Sequence, residues 1–262
     1  MARDWILILG CSSGFGAASA KAFADADYNI IGVHLDRAST VDQANAVKRE
    51  CEELGAQCIF FNVNAADDAK RRDVIAEVTA TLHNEQGSLR VLLHSLAFGS
   101  LLPFVPHPHQ KGISSKQMSM TLEVMGHSLV WWTRDLVDAG HLQDHGRIFA
   151  MTSSGSHSAF HAYGAVGAAK AALESHVRYL AMELAPKHIS VNAVLAGVTD
   201  TPALRKIPNH TALLENAVAR NPSGRLTECV DVARCLVDLA RSGTTWLTGN
   251  TLRIDGGEDI CS

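Results

Sequence analysis

The sequence predicts an α/β fold: a doubly wound, seven-stranded parallel sheet with helices on both faces, in one domain over residues 1–262. Three observations predict it. Trp5-Ile6-Leu7-Ile8-Leu9 is a continuous apolar run of strand formers, as suits a strand buried on both faces. A glycine-rich turn, Gly10 to Gly16, follows at once and opens a helix of small residues. Strand-like and helix-like segments then alternate without a break, and crossovers of that length specify parallel strands. Together these mark a Rossmann-type arrangement.

The elements follow in order. After Trp5–Leu9 comes a helix over Ala17–Asp25, with Phe23 on its apolar face. Asn29–Leu35 reads as the second strand, and Val41–Leu54 as a polar-faced helix closed by Gly55. Gln57–Phe61 is the third strand. Asp68–Leu82 is the next helix, with Val74, Ile75 and Val78 on one side. Arg90–Ser95 is the fourth strand. Ser100–Lys116, which holds Pro103, Pro106 and Pro108, is irregular. A loop that long inside a compact domain is usually functional or mobile, and it reads as one wall of a substrate site. Met118–Ala139 is a long helix in which Trp131 and Trp132 serve packing. Gly146–Thr152, His188–Leu195 and Thr251–Ile254 complete the sheet, with a helix over Tyr163–Ala185. No element is assigned between Thr201 and Thr251.

Composition bounds the function. With 262 residues, 47% of them apolar and 19% charged, the chain has ample material for a core. A net charge of −4 offers no basic field for nucleic acid or an anionic membrane. No apolar run near the N-terminus is long enough for a span or a leader, so a cytoplasmic location is expected. The six cysteines lack metal or redox spacing and read as reduced thiols. His107-Pro108-His109 is the one tight histidine pair, and it reads as a polar loop; no metal is expected.

The turn carries the first chemistry. Its spacing is Gly10-x-x-x-Gly14-x-Gly16, at the first strand–helix junction. Glycines there permit a tight turn and close backbone approach, and the helix N-terminus offers N–H groups to a pyrophosphate. Ser12, Ser13 and Phe15 share the turn. Asp36 is placed to accept hydrogen bonds from adenosine ribose hydroxyls, which favours NADH. Arg37 beside it offers a guanidinium to a 2′-phosphate and keeps NADPH open. The strand ends Asn62-Val63, Ser95 and Ala97, and the loop residues Gly197, Val198, Thr199 and Thr201, are further candidate contacts.

Tyr163 and Lys170 carry the second. Seven positions along a helix is about 700°, close to two full turns, so both side chains leave one face. A phenol is a weak acid, and a nearby ammonium favours its ionised form. The pair can therefore act as a proton donor with its tuner. On its own it is also consistent with two surface residues of an amphipathic helix.

These motifs together resemble the short-chain dehydrogenase/reductase superfamily, over essentially the whole chain. They are the glycine turn, Tyr163 with Lys170, Ala196-Gly197-Val198-Thr199-Asp200-Thr201 and Ile254-Asp255-Gly256-Gly257. Ordinary members separate the Tyr and Lys by three residues. The six here, with His94-Ser95-Leu96-Ala97-Phe98, resemble the divergent subgroup of bacterial enoyl-acyl-carrier-protein reductases. The resemblance implies reduction of an enoyl thioester, carried on acyl carrier protein or coenzyme A, in fatty acid biosynthesis. It also implies a homo-oligomer, dimer or tetramer. A carbonyl reductase of the same superfamily and a non-catalytic dinucleotide sensor remain alternatives. Three departures stand out. The ordinary catalytic Ser, thirteen before the Tyr, is replaced by Ala150. The second aromatic of many enoyl reductases is replaced by Ser153 or Ser154. The helix Asn is absent from Leu122-Glu123-Val124-Met125-Gly126. Ser153 is the candidate third catalytic residue, and a plain strand-end turn is its competing reading.

Overall fold

The computed structural model describes residues 3–143 and 145–261. The first half runs β1 (Trp5–Leu9), α1 (Gly14–Asp25), β2 (Asn29–His34), α2 (Val41–Glu53), β3 (Cys58–Asn62), α3 (Asp68–Asn84) and β4 (Leu89–His94). The second runs α4 (Ser115–Leu122), α5 (Ser128–Asp138), β5 (Arg147–Thr152), α6 (Gly164–Leu184), β6 (Ser190–Ala196), α7 (His210–Arg220), α8 (Cys229–Arg241) and β7 (Thr251–Ile254). The seven strands form one sheet in the order β3-β2-β1-β4-β5-β6-β7, and every pairing is parallel.

The alternation of side chains along β1 explains the two layers. Trp5, Leu7 and Leu9 face a core completed by Val74 and Val78 of α3, Trp132 of α5 and Leu173 of α6. Ile6 and Ile8 face the other core, with Phe23 of α1, Val47 of α2 and Leu236 of α8. A strand buried on both faces has no polar side, which is why it reads as a continuous apolar run. Strand order reverses at β1, which pairs with both β2 and β4. A crevice opens beyond the strand ends at such a reversal, and it is where open α/β sheets take their ligands.

Three differences from the sequence pattern have physical causes. First, α1 starts at Gly14, inside the glycine turn, so the turn is itself the helix N-terminus. Second, the long helix starts at Ser115, where Ser114 and Gln117 form a capping box. It then changes to π-helical spacing over Glu123–His127 before α5. Third, two helices form between Thr201 and Thr251, where the pattern assigns none. In α8, Val232, Ala233, Leu236 and Val237 make a buried stripe at helical spacing, masked in the sequence by the charges between them. In α7 only Ala217 is buried, so there is almost no apolar stripe to detect. Trp132 is fully buried and its indole donates to the Ala65 carbonyl at 2.8 Å, as expected for a packing residue.

Candidate active site

The glycine turn closes tightly over the end of β1. A Cβ on Gly16 would lie 1.9 Å from the Gly10 carbonyl oxygen, so no other residue fits there without moving backbone. At Gly14 the nearest atom to a Cβ is a Thr201 methyl at 3.5 Å, which brings the loop after β6 against the turn. The first-turn N–H groups of α1, from Gly14, Phe15 and Gly16, lack intrahelical partners by the geometry of any helix. Ser13 caps that helix with extended backbone and no side-chain cap bond. This cradle fits a dinucleotide pyrophosphate.

Asp36 stands just beyond β2, beside the turn. Burial raises its pKa, but hydrogen bonds from Thr40, Ser12 and His34 outweigh that and hold the carboxyl below its usual value. Asn62, at the end of β3, accepts from the Asp36 N–H and donates to its carbonyl, both at 2.9 Å. Arg37 is exposed. Val63 packs its side chain against the core and donates its N–H to the His34 carbonyl. Ser95 donates its N–H to Leu9, at the mouth of the crevice, and Ala97 is exposed.

The other half of the crevice holds the reactive groups. Tyr163 immediately precedes α6, and its hydroxyl lies 3.3 Å from Ser153 Oγ. A Cβ on Gly155 would come within 2.4 Å of one edge of the Tyr163 ring, so the ring packs closely against that backbone. Phe160 meets it edge-on, with centroids 6.0 Å apart. These contacts fix the phenol. A cavity of about 250 Å³ opens beside it, between Gly155, Phe160, Gly164 and Gly167, and Phe104 of the long loop reaches Gly164. A larger groove, about 830 Å³, lies away from Tyr163 between α3 and α5.

Ala150, counted thirteen before the tyrosine, is buried in β5 and pairs with Ala193. It has no access to the crevice. The serine that meets the tyrosine is Ser153, one residue past the strand end. The serine is therefore displaced and not lost, because the connection between β5 and Tyr163 is shorter than the count of thirteen assumes.

Lys170 is 4% exposed, and its ammonium donates to Met151 O at 2.7 Å and Leu96 O at 3.4 Å. Burial lowers its pKa to about 8, opposed by the charge of Glu174 one turn on. Glu174 in turn accepts from the Thr152 hydroxyl at 2.7 Å. His94 is fully buried, donor or acceptor to Ser128 Oγ at 2.9 Å, and burial with the Lys170 charge lowers its pKa to about 3. Burial raises the Tyr163 pKa, and it is the Ser153 hydrogen bond that acts to lower it.

The loop after β6 is less open than its sequence suggests. Val198 N–H donates to Glu258 Oε2 at 2.9 Å, and Thr199 Oγ1 donates to Gly197 O at 2.9 Å. Thr201 Oγ1 accepts from Leu204 N–H at 3.2 Å. Glu258, Gly155, Phe160, Phe104, Glu174 and His34 are site neighbours that sequence reading missed. Of these, Glu258 follows directly on Asp255-Gly256-Gly257 and was the most findable.

Residues 10–258 match the family model described as enoyl-(acyl carrier protein) reductase. The chain is 30% identical to a 1-cyclohexenylcarbonyl-CoA reductase of Streptomyces collinus, over 98% of this chain and 88% of that one. It is 29% identical to an NADH-dependent enoyl-[acyl-carrier-protein] reductase of Aquifex aeolicus, over 74% of this chain and 70% of the relative. A crystal structure of a dehydrogenase/reductase from Sinorhizobium meliloti 1021 superposes with a TM-score of 0.84 at 25% identity, covering 99% of this chain and 96% of that one. The seven-stranded parallel sheet agrees with those relationships. The chain belongs to the enoyl-(acyl carrier protein) reductase family of the short-chain dehydrogenase/reductase superfamily and is an NAD(P)-dependent oxidoreductase.

Proposed function

We propose that this enzyme reduces the carbon–carbon double bond of an α,β-unsaturated acyl thioester, with NADH as the preferred donor. The observation that carries the reading is the seven-residue step from Tyr163 to a buried Lys170. A nicotinamide dinucleotide held in the crevice by the glycine turn, Asp36 and Lys170 would supply hydride for the substrate β-carbon, and solvent the proton that the α-carbon then takes. Hydride addition puts negative charge on the thioester oxygen. The Tyr163 hydroxyl, held by Gly155, Phe160 and Ser153, donates to that oxygen and stabilises the transition state more than the ground state. Lys170 holds the nicotinamide ribose and adds positive potential. Asp36 accepts from the adenosine ribose. The thioester is carried on acyl carrier protein or coenzyme A, the setting is cytoplasmic fatty acid synthesis, and the assembly is a dimer or tetramer. Both named relatives act on acyl thioesters by their descriptions, which supports the substrate class.

A second reading, reduction of a ketone to an alcohol, is favoured by the Ser153–Tyr163 hydrogen bond, since two hydroxyls can polarise one carbonyl. One assay separates the two. NADH and NADPH absorbance are followed with a crotonyl thioester and, in parallel, an acetoacetyl thioester. Oxidation with the crotonyl compound is expected; consumption with the ketone alone sinks the enoyl reading.

A further inference from the structure

We propose that His34 is a positioning residue that sets the nucleotide preference, by fixing the Asp36 carboxylate where it accepts a free ribose hydroxyl and repels a 2′-phosphate. The inference rests on reading Asp36 as the ribose acceptor. Its observations lie at the end of β2. His34 Nδ1 is 2.9 Å from Asp36 Oδ2, and the two side chains are 5% and 11% exposed. His34 pairs in register with Asn62, whose side chain bonds both the N–H and the carbonyl of Asp36. The ring also packs against Phe60, with centroids 6.1 Å apart. The Asp36 backbone is therefore held by one strand neighbour and its carboxylate by another.

The chemistry follows from this geometry. A carboxylate bonded on one oxygen by a ring N–H keeps its charge and loses its rotation. The bond fixes the tautomer that carries the proton on Nδ1. The Thr40 hydroxyl and that of Ser12, from the glycine turn, also favour the charged form of the same carboxylate. Cys11 also lies within electrostatic reach of Asp36, and burial keeps it as a neutral thiol. Arg37 is exposed, so it does not take the His34 place on the carboxylate. Removing the His34 donor leaves only the Thr40 and Ser12 hydroxyls to restrain the carboxylate, and it loosens. That costs the hydroxyl contact to NADH and relieves the repulsion felt by NADPH, so the two affinities move in opposite senses.

The test is dissociation constants of NADH and NADPH for the substrate-free protein, by fluorescence titration, with turnover measured alongside. His34→Phe keeps a ring and removes the donor. The NADH constant is expected to rise by about threefold to tenfold, the scale of one charge-assisted hydrogen bond partly replaced by water, while that for NADPH holds or falls. The turnover at saturation stays the same. His34→Asn returns an N–H at the same branch position and restores most of the preference. Should His34→Phe not fold, His34→Ala carries the same comparison. Parallel weakening of both nucleotides, or no rescue by Asn, overturns the proposal, because a merely structural residue behaves that way. Asp36→Asn is the control. If it shifts the ratio and His34→Phe does not, His34 alone is wrong; if neither does, the reading of Asp36 falls with it.

Discussion

The two halves of the cofactor crevice are built by different means. On the adenosine side the contacts span less of the chain: His34 reaches Asp36 two residues on, Arg37 N–H reaches Thr40 three residues on, and Asn62 meets Asp36 across 26. On the nicotinamide side most reach further. Ser153 meets Tyr163 across 10 residues, Lys170 meets Leu96 across 74, and Val198 meets Glu258 across 60. The groups there are also more buried, and the two pKa values moved furthest by burial among histidine and lysine, at His94 and Lys170, both belong to that half. The difference separates selection from chemistry. Changes on the adenosine side should alter which nucleotide binds. Changes on the nicotinamide side should alter turnover and its pH dependence.

The sharpest way to break that division is at Tyr163. Tyr163→Phe removes the hydroxyl and leaves the ring on Gly155. Turnover should fall at least tenfold, roughly the worth of a hydrogen bond to a developing charge. The dinucleotide dissociation constant should stay within about twofold of the parent, the scatter of a neutral surface change. A steady-state assay paired with nucleotide titration checks both. Unchanged turnover removes Tyr163 from the mechanism. Next comes Gly155→Ala. Its Cβ would sit 2.4 Å from the Tyr163 ring, so the ring must move. Displacing a catalytic group by an ångström or so costs on the order of 100-fold at worst. Overpacking should lower unfolding free energy by about 1–3 kcal/mol, read from denaturant titration.

How much was legible in the sequence follows the same division. Trp5–Leu9, the glycine turn and Asp36 announce themselves because each lies within one local motif. The Tyr163–Lys170 pair was legible because helical geometry relates positions seven apart. Ser153 was a weak candidate in the sequence because counting back from the tyrosine measures a connection whose length varies. Only the end of β5, a structural landmark, identifies it as the hydroxyl that meets the phenol. Glu258 and Phe104 were missed for a related reason: their partners, Val198 and Gly164, are distant in sequence. The helix α8 was hidden by its charged surface, though its buried stripe is regular.

A pH series tests the buried lysine. If charged Lys170 is needed to bind the dinucleotide, kcat/KM should fall above pH of about 8, by up to tenfold per unit. Stability gives an independent reading with its own sign. The folded pKa lies below the unfolded value of 10.5, so the unfolded chain binds more protons between about 8 and 10.5. The destabilisation from Lys170 is full below that window and disappears as pH rises through it. The stability difference between Lys170→Met and the parent should therefore shift by on the order of 3 kcal/mol across the window. A flat difference shows that the ammonium is already solvated in the folded state.

The smallest effect is expected at Glu258, and it probes whether the nicotinamide side is pre-formed. Val198 N–H is held by Glu258 Oε2, and burial raises the pKa of that carboxyl. A carboxamide that uses the Val198 N–H must take it from Glu258, so the contact competes with binding. Glu258→Gln keeps an accepting oxygen of the same reach, and nucleotide affinity should stay near the parent. Glu258→Ala frees the N–H and should tighten NADH by up to about threefold, less than one full hydrogen bond because water takes the vacated donor in the free protein. Titration of NADH against both variants decides the matter. Weaker binding in Glu258→Ala would mean that the carboxylate shapes the loop around Gly197, whose Cβ position lies 2.9 Å from Glu258 Oε2, and that the loop is held ready by the contact. In that case the nicotinamide half, like the adenosine half, is set before the cofactor arrives, and the contrast between the two narrows to which step each controls.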